Sequence, residues 1–190
     1  MTDYFALLEQ PRLPWLDPAA LKEVFHRKTL QTHPDAASGD HADFAELNEA
    51  FQVLQDPKRR LHHLLSLNNS APPTGHQTVP QDLQDLFLLI GASTQRANAL
   101  LEKSRTASNA LSRSLLKPQL VEIQKEVGTL REQVRNLDDA ASADLREINS
   151  KWQANQTPPV AALSNLYFKF AYLGRWSAQL DELSFQLAQL

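Results

Sequence analysis

The chain has 190 residues, a formal net charge of -3 and 42% hydrophobic residues. That length suits one or two small domains, and the charge gives no global pull toward nucleic acid. There is no cysteine, which excludes disulfides, thiol catalysis and thiolate ligation of a metal or iron-sulfur cluster.

Five glycines and few β-branched residues point to an all-helical protein. A short amphipathic piece, Tyr4 to Leu8, comes first. Asp17-Pro18 is a strong helix start, with Asp at the N-cap and Pro at the first helical position. Leu21, Val24 and Phe25 then form one apolar face. Pro34 disfavours a helical His33 and has no N–H to donate, so the helix ends there. Residues 35–40 are turn-like. A second long helix carries Phe44, Leu47, Phe51 and Leu54 on one face and is ended or kinked by Asp56-Pro57. The expectation is an antiparallel helical hairpin crossed by a short helix, with His33-Pro34-Asp35 at its exposed tip. There Pro34 stiffens the loop, Asp35 offers a carboxylate that an arginine can grip in bidentate fashion, and His33 is tunable near neutral pH.

Asn68 to Gly75 is polar, Pro-rich and turn-forming, and reads as a linker. The expected division is 1–69, a linker at 70–79, and a second domain at 80–190. That domain reads as three helices. The first runs from about Pro80 to the low hundreds, with Asp82 and Asp85 favourable at its start. The second begins by Pro118 or runs through it, and ends near Trp152. Its core positions are Leu120, Ile123, Val127, Leu130, Val134, Leu137, Ala141, Leu145, Ile148 and Trp152, an alternation of three and four with one slip at Leu145. The third follows a loop at Asn155 to Pro159 and carries Val160, Leu163, Tyr167, Phe170, Leu173, Leu180, Leu183 and Leu187. Short loops imply antiparallel neighbours, so an intramolecular three-helix bundle is expected in preference to a coiled-coil dimer.

Two stretches stand out. Leu86-Phe87-Leu88-Leu89-Ile90 is apolar around the whole helix circumference, which fits burial on all sides or an exposed patch. Tyr167, Phe168, Phe170, Tyr172 and Trp176 form an aromatic cluster that is mostly core. Phe168 and Tyr172 lie off its seam and could face a partner. No pattern for phosphate binding, serine hydrolysis or zinc hydrolysis occurs. His62-His63 diverge by about 100° on a helix and would not chelate one metal together. No catalysis, metal or cofactor is expected of the chain itself.

The first 67 residues resemble the J-domain family, co-chaperones of DnaK-type (heat shock protein seventy) ATPases. The matching residues are Asp3-Tyr4-Phe5 with Leu7-Leu8, Phe25 and Arg27, His33-Pro34-Asp35, Phe44 to Phe51 with Val53-Leu54, and Asp56-Pro57-Lys58-Arg59-Arg60. The resemblance is nearest to the HscB type of iron-sulfur cluster assembly co-chaperone. The Pro-interrupted stretch Pro11 to Asp17, the helix Leu47 to Leu54 and the closing Leu64-Leu65-Ser66-Leu67 support it. So does the layout, a J-domain followed by a helical bundle, without a Gly/Phe-rich linker or zinc-binding cysteines.

The resemblance implies docking on a DnaK-type chaperone through His33, Pro34, Asp35, Lys22, His26, Arg27, Lys28 and Asn48. Lys58-Arg59-Arg60 caps a helix end or joins that surface. The implied activity is stimulation of the chaperone's ATPase and delivery of a client, the iron-sulfur scaffold being the candidate. Client-binding residues would be Leu86, Phe87, Leu89, Ile90 and Phe168, although Phe87 and Ile90 fall where that type has acids. The alternatives are a general J-domain chaperone, or a J-like adaptor whose bundle assembles with an unrelated protein. The basic residues of the first long helix depart from the family: Lys22, His26 and His33 form a stripe, Arg27 lies elsewhere, and Lys28 falls near the apolar arc, where its stem must snorkel. Weak, client-assisted docking is therefore expected. No segment approaches the roughly 20 apolar residues of a membrane span. A J-domain starting at about residue 3 leaves no room for a signal peptide, so a cytoplasmic, bacterial protein is expected.

Overall fold

The computed structural model describes residues 2–32, 41–70, 79–152 and 158–190. Among these, seven α-helices and one 3-10 turn occur, and no strand. The helices are α1 (Tyr4–Leu7), α2 (Pro18–Thr32), α3 (His41–Gln55), α4 (Pro57–Leu67), α5 (Gln84–Thr106), α6 (Ala110–Lys151) and α7 (Val160–Ala188). The protein is all-α, with an N-terminal helical hairpin followed by an antiparallel three-helix bundle. Chain contacts divide it into two compact units, Met1–Gly75 with Ala141–Phe168, and His76–Ala140 with Lys169–Leu190. Helices α6 and α7 each contribute to both. The expected tip, His33-Pro34-Asp35 and the turn to Asp40, lies outside the described residues, as does most of the expected linker at 70–79.

In the first unit, local chemistry sets nearly every helix end. Asp3 caps α1, its carboxylate accepting from the N–H groups of Phe5 and Ala6. Asp17 accepts from the Ala19 N–H at 2.9 Å, and α2 begins at Pro18. Asp56 ends the connection after α3 and caps α4, accepting from the Arg59 N–H at 2.8 Å, with Pro57 in the first turn. The C-termini of α1 and α4 close in the same way. After α1, the N–H of Gln10 reaches the Phe5 carbonyl and that of Glu9 reaches Ala6. After α4, Ser70 reaches Leu65 and Asn69 reaches Ser66. Both are paired turns that need a left-handed residue, supplied by Glu9 (φ 51) and Asn69 (φ 52).

The hairpin α2–α3 closes around apolar side chains. Leu21, Leu47, Ala50 and Leu54 are buried, and the rings of Phe25 and Phe51 stack at 4.2 Å. Helix α1 packs on α3 with Phe5 and Leu8 fully buried. At about 25 cal/mol per Å2 of apolar surface, each such side chain contributes roughly 2 kcal/mol. The end of α6 belongs to the same unit. Asn149 accepts from the Trp15 main-chain N–H at 3.4 Å, and the Arg146 guanidinium lies 5.5 Å from the centre of the Trp15 ring.

The second unit is the bundle proper. Leu83, Leu86, Ile90, Ala97, Ile123, Val127, Val134, Leu173, Trp176 and Leu180 share one core. The order of cross-links gives the helix directions. Between α6 and α7, Gln124 donates to the Leu187 carbonyl and Arg131 pairs with Asp181, so partner numbers fall as α6 advances. Between α5 and α7 they rise together, Asp82 pairing with Lys169 and Thr94 accepting from Gln179. Helix α6 runs through Pro118 for 42 residues, about 63 Å at 1.5 Å per residue. The slip in its apolar spacing, Leu137-Ala141-Leu145, falls where α6 passes from one unit to the other.

Candidate functional site

Three of the four basic residues expected on α2 are exposed: Lys22, His26 and Arg27. Lys22 and His26 are four residues apart and share a stripe. Leu30 continues that stripe one turn on and is 80% exposed, the most open large apolar side chain among the described residues of the first unit. The sequence reading passed over it, although its spacing from His26 was a usable signal. Arg27 points about 100° away. Lys28 has a side chain only 24% exposed: its stem lies along the apolar arc and its ammonium reaches outward, as snorkelling requires. Asn48 is half-buried and donates its amide to the Phe44 carbonyl at 2.8 Å, back along its own helix.

A carboxylate absent from the expected site meets these cations. Glu9, in its left-handed turn after α1, places Oε1 2.9 Å from the Lys28 ammonium, while Oε2 accepts from the Arg27 guanidinium. The Lys28 hydrogen bond, followed by the charges of Lys28 and Arg27, holds the Glu9 carboxyl below the usual glutamate range.

Two buried polar side chains, Arg60 and His63, pin the same unit. Arg60 is 5% exposed. It donates to the Pro14 carbonyl at 2.7 Å and to the Leu54 carbonyl at 2.5 Å. It thereby ties the Pro-interrupted stretch to one of the last carbonyls of α3, which have no partner within that helix. Burial lowers its pKa to about 10, with Asp56 opposing, so the guanidinium stays charged at neutral pH. The cluster Lys58-Arg59-Arg60 thus divides. Arg60 holds the fold, Arg59 pairs with Glu49 at 2.7 Å, and Lys58 is exposed.

His63 is also buried. Its Nε2 accepts from the Tyr4 main-chain N–H at 3.1 Å, and its ring stacks on Tyr4 and Phe5 with centroids 4.6 and 5.7 Å away. Accepting at Nε2 requires the neutral imidazole with its proton on Nδ1. Burial pushes its pKa down, the nearby Asp3 charge opposing. Neighbouring His62 instead faces the Tyr167 ring, 5.9 Å away.

On α5 the expected client face needs correction. Leu86 and Ile90 are buried in the bundle core and are not available to a partner. They continue the inward series Leu83, Leu86, Ile90, Ser93, Ala97 and Leu100, whose spacing of three and four faces one side. Phe87 and Leu89 are exposed at 48% and 54%, and Leu88, not among the expected residues, at 66%. Phe168 is half-buried in the other unit, its ring 5.0 Å from that of Tyr167. Phe87, Leu88 and Leu89 are thus the exposed residues of this run on α5, and Phe168 belongs to the other unit.

Residues 3–63, which hold the hairpin, its crossing helix and the pinning side chains, match the family model described as DnaJ domain. Within this region the chain is 39% identical over 64 residues to the chaperone protein DnaJ of Synechococcus elongatus, covering 32% of this chain and 22% of that protein. It is 41% identical over 64 residues to DnaJ of Protochlamydia amoebophila, covering 32% and 16%. It is also 38% identical over 47 residues to SIS1 of Saccharomyces cerevisiae, covering 25% and 13%. The chain thus spans about a fifth or less of the length of these curated relatives. Over its whole length it is similar in fold to the co-chaperone HscB. The Vibrio cholerae structure matches with a TM-score of 0.51 at 18% identity, covering 98% of this chain and 99% of that one. The human structure matches with 0.55 at 17% identity, covering 95% and 81%. Among the described residues no helix is long and apolar enough to cross a membrane.

Proposed function

We propose that the protein is a J-domain co-chaperone of the HscB kind. Its hairpin docks on a DnaK-type chaperone in the ATP state, and its bundle presents a client. The observation that carries this reading is the DnaJ-domain match over residues 3–63, with α2 and α3 framing His33-Pro34-Asp35. Asp35 engages a chaperone arginine in bidentate fashion, Pro34 fixes the loop, the stripe Lys22, His26 and Leu30 lies against the chaperone, and Arg27 and Lys28 at the flank of α2 meet acidic groups at the edge of that contact. The chain performs no chemistry. It binds the hydrolysis-competent state of the ATPase more tightly than the other, and that difference is the stimulation.

The client surface is Phe87-Leu88-Leu89 on α5, an apolar patch of the kind that marks protein contacts. The HscB-like features, above all the layout of a hairpin followed by a helical bundle, make the iron-sulfur scaffold protein the client to test. A pull-down with the chain as bait tests both ends of the proposal, and recovery of a DnaK-type chaperone together with a scaffold protein is the expected result. A second reading is a J-like adaptor that has lost chaperone docking. The pairing of Glu9 with Arg27 and Lys28 favours it, because it takes two cations from the docking helix. That reading expects neither protein in the pull-down.

A further inference from the structure

Glu9 occupies a position where its side chain serves no purpose in the turn. The turn after α1 is closed by main-chain bonds from Glu9 to Ala6 and from Gln10 to Phe5. It needs a residue at positive φ, and Glu9 adopts φ 51. Glycine adopts that conformation without steric conflict, and a residue with a Cβ does not. Backbone strain retained where a relaxed residue would close the same turn is a pointer to function.

The carboxylate at that strained position bridges two cations. One oxygen meets Arg27 and the other meets Lys28 at 2.9 Å. Consecutive helical residues diverge by about 100°, so a single carboxylate satisfies both only from a position between them, beside α2. The turn after α1 supplies that position. All three groups belong to the same compact unit.

We infer that Glu9 is a built-in competitor for the docking helix. It occupies Arg27 and Lys28 in the free protein, and a partner carboxylate must displace it. The inference rests on the docking role proposed for α2. It sets a threshold: only a partner surface acidic enough to outcompete an intramolecular carboxylate gains these two cations. It also lowers the positive charge presented during encounter, which reduces both the association rate and its dependence on salt.

The test uses the full chain with the ATP-bound DnaK-type chaperone, comparing wild type, Glu9→Gln, Glu9→Gly and His33→Gln. Glu9→Gln should tighten apparent affinity roughly three- to tenfold at low salt, a rim-charge effect that fades at high salt. Glu9→Gly should do the same while keeping the turn. The gain should vanish when Arg27→Gln and Lys28→Gln are added to Glu9→Gln. Stimulation by wild type that depends on His33, combined with no tightening in either Glu9 variant, overturns this inference and leaves the docking role standing. If neither wild type nor the Glu9 variants stimulate the chaperone, the docking role falls and the inference falls with it.

Discussion

His63 on α4 accepts the main-chain N–H of Tyr4 at 3.1 Å and so caps the start of α1, 59 residues away in sequence. Protonation of Nε2 would replace that acceptor with a donor facing a donor. Because burial lowers the folded pKa of His63, the unfolded chain binds the proton first. Stability is therefore fully present above the unfolded value near 6.5 and is lost as pH falls from there toward the folded value. Denaturant titrations of the protein from about pH 8 down to about pH 5 should show this decline. His63→Phe should flatten that part of the profile. It should also lower stability at neutral pH by about 1 kcal/mol, because the Tyr4 N–H loses its partner.

Arg60 is buried and donates to two main-chain carbonyls, those of Pro14 and Leu54. Arg60→Met keeps the apolar stem but leaves both carbonyls orphaned, and should destabilise the protein by about 2–4 kcal/mol. Arg60→Lys should be nearly as damaging, since a single ammonium cannot reproduce the fork. Thermal unfolding measures both. A loss within experimental error for Arg60→Met would show that the Pro14 and Leu54 contacts are not needed.

Ser93 is fully buried on α5, and among the described residues its hydroxyl has no hydrogen-bond partner. Ser93→Ala removes a desolvated polar group and improves helix propensity. It should stabilise the protein by about 1 kcal/mol, read as a higher denaturation midpoint with an unchanged slope.

Leu88 and Leu89 are more than half exposed, so changing either to serine should move stability by no more than about 0.5 kcal/mol, whereas Phe87→Ser, whose ring lies 6.4 Å from that of Trp176, should cost about 1 kcal/mol. The combined variant should lose the client in a pull-down while still stimulating the chaperone. Retained client binding would place the client elsewhere on the chain.

Much of this fold was legible because its signals are local. Asp17-Pro18 and Asp56-Pro57 mark helix starts by capping chemistry alone, and the long series from Leu120 to Trp152 marks one continuous buried seam. The slip at Leu145 was also visible, but its meaning was not: it falls where α6 changes unit, which depends on residues far away in sequence. Leu86 and Ile90 were misassigned because a run of five apolar residues has no face of its own. The face is set by the longer series through Ser93 and Ala97, and those small residues weaken the apolar signal. Arg60 and His63 were missed for a different reason. A polar side chain is buried only when distant main-chain groups meet it, here Pro14, Leu54 and Tyr4, and no local pattern announces them. Glu9 is the same case in reverse, since nothing in its neighbourhood marks a left-handed residue that is not glycine.

Single-turnover ATP hydrolysis by the cognate DnaK-type chaperone, with wild type and with His33→Gln, tests the central claim most directly. Acceleration by wild type that His33→Gln abolishes is the predicted result. No acceleration by wild type, or equal acceleration by both proteins, would contradict it.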